Sequence, residues 1–198
     1  MIKYALFDMD ETLYPREAGA LQRVGERIER YLIERLHLSP AEAVRVRVEY
    51  RERYGTTLAG LLAVGAVDAE DYLLYVHDIP VEQLIQPDAA LDAILATLPW
   101  ECAIFTNADW RHAERVLGAL GIRHRFGRIF DVTSMGYRHK PHPLAYQHVL
   151  TTLGVDGSAC LLVDDSLPNL VAAKAWQMTT VWVGSTAAPT AGVDHVIP

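Results

Sequence analysis

At 198 residues, 51% of them hydrophobic and 9% aromatic, the chain is long enough to bury the core of one domain or of one domain with an insertion. Eighteen basic against 25 acidic residues give a formal charge of -7, which argues against a polyanion-binding surface and hence against a nucleic-acid partner. No apolar run reaches the about 18 residues that a membrane helix needs, and Met1-Ile2-Lys3-Tyr4 leads straight into an apolar run with no room for a signal peptide, so the expected compartment is the cytoplasm and no membrane partner is expected. Cys102 and Cys160 each lie in apolar runs and are expected to be buried free thiols.

The first element is the run Tyr4 to Phe7, which ends abruptly at Asp8-Met9-Asp10-Glu11-Thr12. An apolar run of strand length closed by acids reads as a buried parallel strand, and ligands of open parallel sheets sit beyond that carboxyl end. Asp8 and Asp10, two apart, can face the same way, although either Asp10 or Thr12 can equally cap a following helix. After Pro15 the texture becomes helical. Val24, Ile28, Tyr31, Leu32 and Leu36 recur at helical spacing. Ser39-Pro40-Ala41-Glu42 fits a capping box for a helix running to Tyr54, and Gly55-Thr56-Thr57 breaks it. Leu58 to Val64 and Asp68 to His77 read as two more helices, Pro80 and Pro87 punctuate the exit, and Asp88 precedes a helix through Leu98.

From Trp100 strands and helices alternate. Cys102 to Phe105 reads as a strand ending at Thr106-Asn107, followed by a helix from Arg111 to Leu120. Arg128 to Val132 reads as another strand, Lys140-Pro141-His142-Pro143 leads into a helix from Leu144 to Leu153, and Ala159 to Val163 ends at Asp164-Asp165-Ser166 ahead of a helix from Asn169 to Trp176. Thr179 to Val183 is the last clear strand, and the Ala/Pro/Thr-rich tail carries little signal. One strand, a helical block, then three or four strand–helix units predict an α/β fold: a doubly wound, Rossmann-like parallel sheet built from 1–15 and 89–198, with a small helical cap, 16–88, inserted after the first strand. A cap in that position is expected to cover the Asp8/Asp10 edge.

Polar groups thus follow the apolar runs in succession: Asp8 and Asp10, Thr106 and Asn107, and Asp164 with Asp165, joined by Lys140 in its loop. Carboxylates with open positions suit Mg2+, and a hydroxyl, an amide and an ammonium suit the oxygens of a phosphoryl group. Each motif alone has a plainer reading: Thr106 as a helix cap, Lys140 as a solvated loop residue, Asp164-Asp165 as a helix start. Together they describe a phosphoryl-transfer site with a carboxylate nucleophile. His77, His112 and His148 lack metal-ligand spacing and read as structural, whereas Tyr14, Tyr50, Tyr54 and Tyr72 are read either as packing residues or as surfaces for a nucleobase.

These four motifs, in this order, resemble those of the haloacid dehalogenase superfamily of phosphohydrolases: Asp8-Met9-Asp10-Glu11-Thr12, then Phe105-Thr106-Asn107, then Lys140, then Asp164-Asp165-Ser166 with Asn169 where many members carry Asp. The resemblance implies an Mg2+-dependent phosphomonoesterase acting on a small phosphorylated substrate. In its terms Asp8 is the nucleophile and Asp10 the acid and base. Thr106, Asn107 and Lys140 bind the phosphoryl group. The metal is held by Asp8, by the backbone carbonyl of Asp10, and by Asp165, with Asp164 either bound or one layer behind. Asp8-Met9-Asp10-Glu11-Thr12-Leu13-Tyr14-Pro15, the segment Tyr54 to Leu61, and Phe105 to Ala108 followed by His112, Ala113, Arg115 and Val116 further resemble the pyrimidine 5'-nucleotidase branch, which implies nucleoside monophosphates as substrates. Sugar phosphatases and phosphomutases of the same superfamily are the alternatives. A receiver-type phospho-accepting module is disfavoured by the helical insertion and by an acidic pair that comes last. Dehalogenation is disfavoured because its leaving group needs no acid at position 10. Oligomeric state is left open.

Overall fold

A computed structural model describes residues 1–184 and 192–198. Most of the Ala/Pro/Thr-rich tail, residues 185–191, lies outside the described residues. The chain divides into two compact units, Met1–Pro15 with Ile85–Pro198, and Arg16–Leu84. No helix among the described residues is long and apolar enough to cross a membrane.

The first strand, β1 (Tyr4–Phe7), is followed in the chain by the helices of the second unit: α1 (Ala20–Glu34), α2 (Pro40–Tyr54), α3 (Thr57–Ala63), α4 (Ala69–Val76) and the short α5 (Val81–Leu84). The first unit resumes with α6 (Ala89–Thr97), β2 (Glu101–Phe105), α7 (Trp110–Leu120), β3 (Arg128–Phe130), α8 (Pro143–Leu153), β4 (Cys160–Asp164), α9 (Leu167–Ala175), β5 (Thr179–Val183) and β6 (His195–Ile197). All strand pairs are parallel and the order is β3-β2-β1-β4-β5-β6. The chain leaves β1 toward β2 on one side and later returns to β4 on the other, so the order reverses around β1. At such a switch point the loops diverge and leave a crevice beyond the carboxyl ends.

The sheet is buried because its strands are apolar and helices pack on it. Leu6, Phe105, Leu162, Tyr146 and Leu170 belong to one core cluster, and burying each large apolar side chain stabilises the fold by about 1.5–3 kcal/mol. Tyr146 packs edge-on against Phe105 at 5.3 Å and satisfies its buried hydroxyl by donating to the Asn169 carbonyl at 2.8 Å. Cys102 and Cys160 are buried and unbridged.

The helical unit has its own core, in which Tyr31 meets Tyr72 at 5.1 Å and Tyr75 at 5.2 Å. Ser39 and Glu42 make the reciprocal capping box that starts α2. Where α2 and α3 approach, a Cβ on Gly60 would stand 2.3 Å from the Tyr50 ring, so the contact requires glycine.

Candidate active site

The candidate residues of the first unit collect at the carboxyl end of the sheet, after β1 and its two neighbours β2 and β4, with Lys140 reaching in from its loop. Asp8 follows β1 directly, and its N–H still donates to Val163 of β4 at 2.9 Å. Asp164 is the last residue of β4. Oxygen atoms of Asp8, Asp164 and Asp165 all lie within 4.8 Å of one another. The Lys140 ammonium sits between two of these acids, 2.8 Å from Asp8 Oδ1 and 2.6 Å from Asp164 Oδ2, and over the face of the Phe105 ring, 5.0 Å from the centroid.

Each of these side chains is held by its neighbours. The Asn107 amide grips the Lys140 main chain from both sides, accepting from its N–H at 2.7 Å and donating to its carbonyl at 3.0 Å. Asn107, expected to bind substrate, thus also orients the lysine loop. Thr106 is 1% exposed at the end of β2, and its hydroxyl oxygen accepts from the Ala108 N–H at 3.0 Å, leaving the hydroxyl proton as the group it can donate. Thr12 ties the two ends of the chain together: its hydroxyl lies 3.3 Å from Asp8 Oδ2 and 3.4 Å from Asp165 Oδ1, and it accepts from the Asp165 N–H at 3.1 Å. The Trp182 indole donates to the Asp165 carbonyl at 2.9 Å.

Asp164 is fully buried and well supplied with donors. Its Oδ1 accepts from Ser166 N–H at 2.8 Å and from the Asn169 amide at 3.0 Å, and its Oδ2 accepts from Lys140 and, at 3.1 Å, again from Asn169. Four such contacts fill the lone-pair directions of a carboxylate, so Asp164 is built to hold Lys140 and the loop. Asp8 and Asp165 are the acids whose oxygens suit a hard, oxygen-seeking divalent cation. The carboxylate of Asp10 is not in the group of three.

Charge crowding shows in the acidities. Burial, opposed by Lys140 and reinforced by Asp164, raises the Asp8 carboxyl from 3.8 to about 7. Burial and the nearby Asp164 raise Asp165 to about 6. Burial pulls the Lys140 ammonium down, but Asp164 and Asp8 more than offset it and hold it above its usual value. Without a cation, two of the acids are therefore near neutrality in their affinity for protons. A divalent ion held between them would relieve that crowding.

Two residues read as structural or as packing groups face the site. His112, in the first turn of α7, places Nε2 3.5 Å from Asp10 Oδ1, and the Tyr14 hydroxyl donates to the same oxygen at 2.5 Å. Burial, with Asp10 beside it, pushes the Tyr14 phenol well above its usual value, so it stays a donor. A histidine isolated in the sequence carries no signal of this role, because only the placement of α7 aims its ring.

Comparison with known proteins agrees with this architecture. A model of haloacid dehalogenase-like hydrolases matches residues 2–176. Among curated proteins, a phosphoglycolate phosphatase of Neisseria gonorrhoeae is 35% identical over 83 residues, covering 42% of this chain and 35% of that protein. Hexitol phosphatase B of Escherichia coli is 33% identical over 70 residues, covering 35% of this chain and 31% of that protein. The matched stretch thus spans about a third of each of these relatives. Among solved structures, an HAD phosphatase from Thermococcus onnurineus superimposes with a TM-score of 0.64 at 21% identity, over 99% of this chain and 93% of that one. With the family model covering nearly nine-tenths of its length, the chain belongs to the haloacid dehalogenase-like hydrolases.

Proposed function

We propose that this chain hydrolyses small phosphomonoesters of the sugar-phosphate class through a phosphorylated Asp8. The observation that carries the proposal is the Lys140 ammonium bonded at once to Asp8 and Asp164, beside an acid triad within reach of one cation. Asp8 attacks phosphorus and the bond to the leaving oxygen breaks, its electron pair passing to that oxygen, which takes a proton from Asp10. Water then attacks the acyl phosphate and gives its proton to Asp10, and phosphate departs as the Asp8 carboxylate is restored. Lys140 and the Thr106 hydroxyl hold phosphoryl oxygens, and Asn107 and Asp164 keep Lys140 in place. Asp8, Asp165 and the Asp10 carbonyl would hold Mg2+, which would supply positive charge against the phosphoryl oxygens and the crowded acids. The helical unit inserted after β1 is assigned the choice of substrate.

The names of the curated relatives, a phosphoglycolate phosphatase and a hexitol phosphatase, support phosphorylated small acids and polyols. Nucleoside monophosphates are a second reading, favoured by the stretch Tyr54 to Leu61 and by Phe105 to Val116. Asp10 supports phosphate ester cleavage over dehalogenation, since an alkoxide must be protonated as it leaves. Release of inorganic phosphate from phosphoglycolate, hexitol phosphates, UMP, CMP, dTMP, AMP and GMP in the presence of Mg2+ tests the assignment. Turnover of a sugar or polyol phosphate above all nucleotides is expected. A preference for UMP or CMP would replace the substrate class and keep the chemistry, and no release from any of them would defeat both.

A further inference from the structure

Asp10 lies in the turn after β1, and two buried side chains from separate stretches of chain converge on one of its oxygens, the Tyr14 hydroxyl as a hydrogen-bond donor and the His112 imidazole beside it. The Tyr14 hydroxyl is 2.5 Å and His112 Nε2 3.5 Å from Oδ1. Tyr14 is 5% and His112 1% exposed. His112 is aimed by a built helix start: Asp109, itself buried, caps α7 by accepting the His112 N–H at 2.8 Å. Neither Tyr14 nor His112 has a part in the reaction as described above.

We propose that Tyr14 and His112 are positioning residues for proton transfer, fixing the rotamer of Asp10 through Oδ1 so that Oδ2 serves the leaving group. This rests on Asp10 being the acid of the proposed reaction. An aspartate side chain left to itself samples several staggered χ1 wells and a broad χ2, and each presents a different oxygen. The tight phenol contact sets the position. The looser imidazole contact, at 3.5 Å, closes the other approach to the same oxygen. Because a displacement of about 1 Å can cost on the order of 100-fold in rate, the pair is worth a measurable share of the acid's effect.

The test uses the ratio of kcat/KM for an alkyl phosphate, whose alkoxide must be protonated, to that for p-nitrophenyl phosphate, whose leaving group needs little help. Tyr14→Phe and His112→Leu are each expected to lower this ratio by roughly tenfold or more. His112→Gln, which keeps an N–H donor at a similar reach, is expected to restore most of it. Residues that merely pack would lower thermal stability and leave the ratio unchanged, and an unchanged ratio in Tyr14→Phe overturns the proposal. Tyr14→Phe is nearly isosteric, so it stands if His112→Leu does not fold. Asp10→Asn is the internal reference. If it too leaves the ratio unchanged, the acid role of Asp10 is what has failed, whereas a fall in Asp10→Asn alone refutes only the positioning role.

Discussion

Replacing Lys140 by Met removes one charge from the centre of the site and little else, since an unbranched Met can fill the space of the buried lysine stem. The Lys140 side chain is 0% exposed and is bonded to Asp8 at 2.8 Å and to Asp164 at 2.6 Å. Its loss leaves two buried carboxylates without their shared cation. Breaking a buried pair by removing one partner costs about 3–5 kcal/mol. Asp164 keeps its bonds from Ser166 and Asn169, and Asp8 keeps Thr12, so the low end, about 3 kcal/mol at pH 8 without metal, is expected. The deficit depends on pH. Asp8 already binds its proton more tightly in the folded chain, at about 7 against 3.8, and without Lys140 its affinity rises further. A raised folded pKa favours folding at low pH, with the advantage lost as pH rises through that pKa, so the deficit must shrink between pH 8 and pH 5.5. Urea unfolding of wild type and variant at both values measures it. A deficit below about 1 kcal/mol at pH 8, the range of an exposed ion pair, or one that grows on acidification, would show that the lysine does not hold the acids together.

The same sign governs metal binding. If Asp8 and Asp165, raised to about 7 and about 6, hold Mg2+ as proposed, protons compete with it, so the rise in melting temperature on adding Mg2+ should be small at pH 5 and large at pH 8; a flat or reversed profile refutes a site built on these acids. Asn169→Asp exchanges two donor contacts on Asp164 for repulsion between buried carboxylates. Hydrogen bonds to charged groups are worth about 1.5–3 kcal/mol, so calorimetry of the metal-free variant should show a loss of at least that size at pH 8; unchanged stability would mean that Asn169 does not support Asp164.

The fold class was legible because the strands that matter are apolar runs ending in polar residues. Tyr4 to Phe7, Cys102 to Phe105 and Cys160 to Val163 are all strand in the structure, and the Ser39 capping box starts a helix where its spacing predicts one. β6, three residues at the sheet edge with His195 and Ile197 exposed, has no periodicity to read. α5, four residues between Pro80 and Pro87, is too short to show a face. Identity was easier to read than partnership. Lys140 taken alone resembles a solvated loop residue, yet it is 1% exposed, because the Asn107 amide and the acids of β1 and β4 draw it inward. His112 looks like one more helical residue, since its meaning comes from Asp10, about a hundred positions earlier. The narrower likeness to nucleotidases rests on local segments, whereas the curated relatives are named for other phosphates. Four motifs define a reaction centre without defining what enters it.

The proposed reaction passes through a covalent bond between Asp8 and phosphorus. Wild-type enzyme quenched in acid during turnover of its best substrate from the phosphate-release panel, with 32P in the phosphoryl group, then reduced with borohydride and digested, addresses it directly. Label in the quenched protein, and a reduced residue at position 8 that is missing from Asp8→Asn, is the predicted result. Phosphate release by Asp8→Asn at the wild-type rate, with no reduced residue at position 8 in either protein, would contradict it.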